Sequence, residues 1–148
     1  MKTAYRFTRE DDSAPDGIAS LTCWLLLDDA RFHLSIIAIG RQKDPDVAPR
    51  REDWGYAGEW SRREGDLVFR PATCESQDWP AKEILSAEMA MMDDPFFQSH
   101  AVQGEFTARA LDAPPGGELP ARLALPVPRE MAEAGGFRYA ELVLTRES

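Results

Sequence analysis

A chain of 148 residues with 26 acidic and 17 basic side chains, a net charge of −9 and a 43% apolar share is the size of one globular domain, large enough to bury a core unaided. The acidic balance argues against nucleic acid and against anionic membrane surfaces, because both need clustered Lys and Arg. Two cysteines, no apolar leader behind Met1 and no window near the ~20 apolar residues of a membrane-spanning helix lead to the expectation of a soluble, cytoplasmic protein.

In chain order, Thr3–Arg9 alternates with Tyr5 and Phe7 on one face and is predicted as a strand. Asp11–Gly17 is turn-rich. Ala19–Leu27 is apolar on both faces, the pattern of a strand covered on both sides. Asp28-Asp29 makes a tight connection without the preferred glycine. The return strand sets Phe32, Leu34, Ile36 and Ala38 against Arg31, His33 and Ser35. Gly40–Asp53, with two prolines, reads as a surface loop.

Trp54–Arg70 is the clearest hairpin. Trp54, Tyr56, Gly58 and Trp60 share a face, Arg63–Asp66 turns, and Leu67–Phe69 returns. Pro71–Asp78 is expected to be irregular. Pro80–Met92 changes period: Ile84, Leu85, Met89 and Met92 recur at helical spacing, Pro80 suits the first turn, and Asp93-Asp94-Pro95 ends it. Phe106–Ala110 alternates as a strand. Leu119–Val127 is a short strand hedged by prolines, Arg129–Ala134 a helical turn, and Phe137–Arg146 a last strand.

The fold class expected is mainly β: one small barrel or sandwich of about eight mostly antiparallel strands with one inserted α-helix, with α+β as the alternative. The domain runs over 1–148, and 72–104 forms an acidic, helix-containing excursion within it. Charge is uneven: residues 72–118 hold 9 of the acidic and 2 of the basic side chains.

Each residue type with catalytic or ligating chemistry also has an ordinary structural role. Cys23, His33, Cys74 and His100 lack zinc-site spacing, so no metal and no cofactor are expected. Cys23 and His33 lie on neighbouring strands, but a buried small thiol and an exposed imidazole are the plainer roles. Cys74 and His100 lie in the same acidic block, the residue types of a thiolate nucleophile and its base. The pairs Asp11-Asp12, Asp28-Asp29 and Asp93-Asp94 sit in turns, where aspartates usually cap amides. Trp54, Tyr56 and Trp60 are either core or the lining of a cavity, with Gly58 leaving room for a facing ring.

Three functions follow as expectations. The first is a non-catalytic interaction protein, an inhibitor or adaptor, presenting Glu83, Glu88, Asp93 and Asp94 for steering and Met92, Phe96 and Phe97 as anchor to a basic protein surface. The second is a ligand-binding β-barrel for a small apolar or aromatic molecule, lined by Trp54, Tyr56 and Trp60. The third is a hydrolase using Cys74 and His100. Neither nucleic acid nor membrane is expected as a partner.

Overall fold

A computed structural model describes residues 2–10, 18–41, 45–46, 49, 51–79, 98–102, 104–127 and 141–147. These form nine strands: β1 (Lys2–Glu10), β2 (Ile18–Asp28), β3 (Arg31–Gly40), β4 (Arg51–Arg63), β5 (Asp66–Trp79), β6 (Gln98–His100), β7 (Phe106–Ala110), β8 (Arg122–Pro126) and β9 (Glu141–Arg146). The protein is mainly β. Eight strands close an antiparallel barrel in the order β1-β2-β3-β4-β5-β7-β8-β9, with β9 returning to β1. β6 is an extra strand on the free stretch of β5, pairing Cys74 with His100.

The alternation of side chains creates the interior. Leu21, Cys23, Leu25 and Leu27 of β2 face Phe32, Leu34, Ile36 and Ala38 of β3, and all eight are buried. Tyr5, Trp54, Tyr56, Leu67, Phe69, Cys74, Ala108, Leu119, Leu123, Leu125, Leu142 and Leu144 complete this core. Each fully buried aliphatic or aromatic side chain contributes about 1.5–3 kcal/mol relative to exposure.

The tight hairpins use the residues that tolerate positive φ. Asp29 sits at φ 47° in the β2–β3 turn, so aspartate stands in for the missing glycine. Glu64 and Gly65, at 53° and 93°, form the β4–β5 turn, whose two positive φ values match the twist of the flanking strands.

Four expectations are corrected. β2 is not covered on both faces: Leu26 is 47% exposed, and Trp24 on that face carries the Arg6 guanidinium 5.0 Å from its ring centroid. Arg51–Asp53 belongs to β4 rather than to a loop, paired with Ile37–Ile39. Pro71–Asp78 is strand, not irregular: β5 continues through Pro71 because Ala72 bulges out of the ladder with β4, and a bulge is where a strand admits proline. Leu119 precedes β8 instead of belonging to it. The helix expected over Pro80–Met92 and the turn over Arg129–Ala134 lie outside the described residues. Among those described, the one helical element is a 3-10 turn at Pro115–Gly117, and no helix is long and apolar enough to cross a membrane.

The two barrel ends differ. At one, the β2–β3 and β4–β5 turns meet the β7–β8 connection, which plugs the interior with buried Leu119 and Pro120. Donors from three strands hold four successive carbonyl oxygens of this plug. Arg62 donates to Gly117 O and Glu118 O, Arg146 Nη1 donates to Leu119 O at 2.6 Å, and Tyr5 Oη donates to Pro120 O at 2.6 Å. Asp112 accepts from the Ala121 and Arg122 amides at 3.0 and 2.9 Å. The connections 11–17, 41–50, 80–97 and 127–140 leave from the opposite end, called here the loop end.

Candidate functional site

Polar side chains enter the barrel in its loop-end half, and the strand registers bring them together. Trp54 of β4 pairs with Ser76 of β5, Tyr56 pairs with Cys74, and Cys74 pairs in turn with His100 of β6. Ser76 Oγ and His100 Nε2 are 2.7 Å apart, a hydrogen bond whose donor depends on the imidazole tautomer. The imidazole lies nearly parallel to the Trp54 indole, with centroids 4.7 Å apart and planes at 26°. Trp54 Nε1 donates to Glu52 Oε1 at 2.9 Å, two residues back on the same strand face. Indole, imidazole, hydroxyl and carboxylate thus form one connected group.

Ser76 is 8% exposed and is the buried polar residue among those described. A buried hydroxyl is tolerable only when bonded, and His100 supplies that bond. Among the described residues the imidazole forms no ion pair with a carboxylate.

The other half of the barrel is filled by rings. Phe32 meets Phe69 edge-on at 4.9 Å, Phe69 and Phe106 stack at 5.3 Å, and Tyr56 reaches Phe106 at 6.3 Å. Around Trp54 and His100 the interior carries Cys23, Ala38, Cys74 and Ser76 together with Leu21 and Ile36.

The sequence-derived candidates fall out as follows. Trp54 and Tyr56 are buried inside the barrel, Trp54 within the polar group. Trp60 is half-buried on the same strand face but toward the plugged end. Gly58 does not make room for a facing ring. A Cβ there would meet backbone, lying 2.8 Å from Ala72 N and closer still to Arg70 O, so the glycine lets β5 bulge against β4. Cys74 and His100 are brought together as direct cross-strand neighbours. Cys23 and His33 are not, since Cys23 faces the core and His33 is exposed on the outer face. Burial pushes the Cys23 thiol up to about 12, which leaves it protonated and unreactive at neutral pH. No disulfide joins Cys23 and Cys74.

Among the described residues, no group of three or more His, Cys, Asp or Glu side chains could hold a metal ion. Asp28 and Asp29 are exposed. Asp11-Asp12, Asp93-Asp94 and the whole expected partner-binding set (Glu83, Glu88, Met92, Asp93, Asp94, Phe96 and Phe97) lie outside the described residues.

Sequence reasoning missed Ser76 and Glu52. The signal was present: Cys74 and Ser76 keep a period of two, as Glu52 does with Trp54. Pro71 and the charged run before Trp54 masked it.

No family model matches the chain, and neither a curated protein nor a solved structure matches it.

Proposed function

We propose that the barrel binds a small planar, largely apolar molecule in its loop-end half. The observation that carries this reading is the Ser76–His100 hydrogen bond laid across the Trp54 ring inside a closed eight-stranded barrel. Barrels of this size either fill with side chains or hold one small ligand. Ligand sites combine apolar walls with a few convergent polar groups that fix orientation. Here Cys23, Ala38, Cys74 and Ser76 stand beside those polar groups, while Phe32, Phe69 and Phe106 pack the opposite half. The Trp54 indole provides the flat apolar surface, and His100 and Ser76 provide one donor and one acceptor.

The test uses indole and 2-naphthol, each a flat ring with a single N–H or O–H. Titration followed by calorimetry should give a saturable heat of binding. His100→Ala and Trp54→Phe should each weaken binding about tenfold, the scale of ~1.4 kcal/mol for one polar or stacking contact. A response that never saturates with either probe would overturn the reading.

A further inference from the structure

The hairpin β8–β9 is laced to the barrel wall near the plugged end. Its ladder with β1 consists of Tyr5↔Arg146 and Arg6↔Thr145, and its ladder with β7 of Arg109↔Ala124 and Ala110↔Leu123. Two further bonds lie at that end: Glu147 N donates to Ala4 O at 2.8 Å, and Leu111 N donates to Arg122 O at 3.1 Å. Toward the loop end both seams run without ladder pairs among the described residues. Phe7–Glu10 pairs there with β2, and Glu141–Leu144 with β8. Phe106–Ala108 pairs with β5, and Leu125–Pro126 with β9. An exposed Arg109–Glu141 ion pair at 3.3 Å spans the β7 flank, and an exposed pair is a weak tether. The hairpin packs inward through buried Leu125, Leu142 and Leu144, and apolar contacts are non-directional. The unlaced stretch is linked to the polar group: Phe7 pairs with Cys23, Cys23 with Ile36, Ile36 with Trp54, and Trp54 with Ser76.

We infer that the β8–β9 hairpin is a gate, hinged at the plugged end, through which a planar apolar molecule reaches the loop-end half; its use as a ligand entrance rests on the binding role proposed above. Lifting the loop-end part of the hairpin separates apolar faces and breaks no ladder bond to either flank, while its own five pairs keep it together as a unit. Elements so attached open locally at a fraction of the free energy of global unfolding. The long ladders of β2 to β5 form the fixed wall against which it closes. In the closed position the register set by Tyr5↔Arg146 and Arg6↔Thr145 carries Thr8 opposite Val143. A gate of this kind sets the rates of entry and release together and leaves affinity unchanged.

The test laces the gate shut with Thr8→Cys and Val143→Cys together, both on the outer face, in a Cys23→Ala background oxidised with diamide. The control is Thr22→Cys with Ile37→Cys, an outer-face pair already inside the β2–β3 ladder. The first readout needs no ligand. Modification of the buried Cys74 thiol by N-ethylmaleimide should slow at least about tenfold in the laced protein and stay unchanged in the control. The second follows 2-naphthol by stopped flow, through its own emission excited beyond the tryptophan absorption edge. Association and dissociation should slow together by about tenfold, with the calorimetric affinity unchanged. Equal labelling of Cys74 in the laced and control proteins overturns the inference, since entry then bypasses the hairpin. A Thr8→Cys/Val143→Cys protein that stays reduced in diamide overturns it as well, because a closed gate brings those positions within disulfide reach. If 2-naphthol binds none of these proteins, the binding role fails, and Cys74 labelling still decides whether the hairpin opens.

Discussion

A methyl group at position 58 has nowhere to go: it would strike the Arg70 carbonyl and the Ala72 amide, both backbone atoms of a strand already bulged. Gly58→Ala should therefore destabilise the fold by about 3 kcal/mol, the upper range for forced overpacking, as read from the midpoint of urea denaturation. Tyr5 and Cys23 set the alkaline limit. Burial pushes the Tyr5 phenol up from 10.0 to about 12 and the Cys23 thiol up from 9.0 to about 12. For Tyr5 the nearby Arg146 charge opposes the shift without cancelling it. In the unfolded chain these groups lose their protons from about pH 9 and 10, whereas the folded barrel retains them to about pH 12. Their stabilising contribution is thus complete below pH 9 and drains away between pH 9 and 12. A series of urea midpoints across that window should fall steadily. In Cys23→Ala the decline should begin about one pH unit later, where the phenol starts to ionise.

Asp112 links the plug to β8. Its carboxylate accepts two backbone N–H bonds, from Ala121 and Arg122, and these hold it below the usual carboxylate range. A depressed folded pKa gives stabilisation that is present above the ordinary carboxylate pKa and lost as pH falls through the lowered value. Asp112→Asn should accelerate hydrogen exchange at the Ala121 and Arg122 amides while leaving β2 and β3 protected. β5 shows how far an element is legible from sequence. Leu67–Phe69 alternates openly, and so do Cys74 and Ser76, but Pro71 between them reads as a stop. Only the pairing with β4 reveals that a single skipped residue, Ala72, absorbs the proline and restores the inward face. β6 is three residues long and carries no periodicity of its own, so His100 could not be assigned a face. The polar group was hidden for the same reason: its members come from three strands, and their meeting is a property of register. Trp54 and Tyr56, by contrast, were legible because an uninterrupted run of alternation fixes a face before any partner is known.

The ladder is uneven across the molecule. β1 to β5 pair over long stretches, from Lys2↔Asp28 to Glu10↔Ser20 and from Arg31↔Glu59 to Ile39↔Arg51. The closing seams are brief: Tyr5 and Arg6 against Thr145 and Arg146, and Arg109 and Ala110 against Leu123 and Ala124. Protection against exchange should follow this division, with amides in β2, β3 and β4 opening only with the whole molecule and those in β8 and β9 opening more readily.

The seam between β1 and β9 also has a kinetic consequence. It joins Tyr5 to Arg146, partners from opposite ends of the strand succession, whereas β2 through β5 assemble from successive hairpins. Chain-closure entropy penalises so distant a pairing until the intervening wall stands. The meander should therefore condense first and the ring shut last, and the four carbonyls gripped by Arg62, Arg146 and Tyr5 act as a latch that only the finished ring can engage. Loosening that latch at Pro120 with Tyr5→Phe should raise the unfolding rate far more than it lowers the folding rate, which stopped-flow chevrons would display as a shift confined to the unfolding limb.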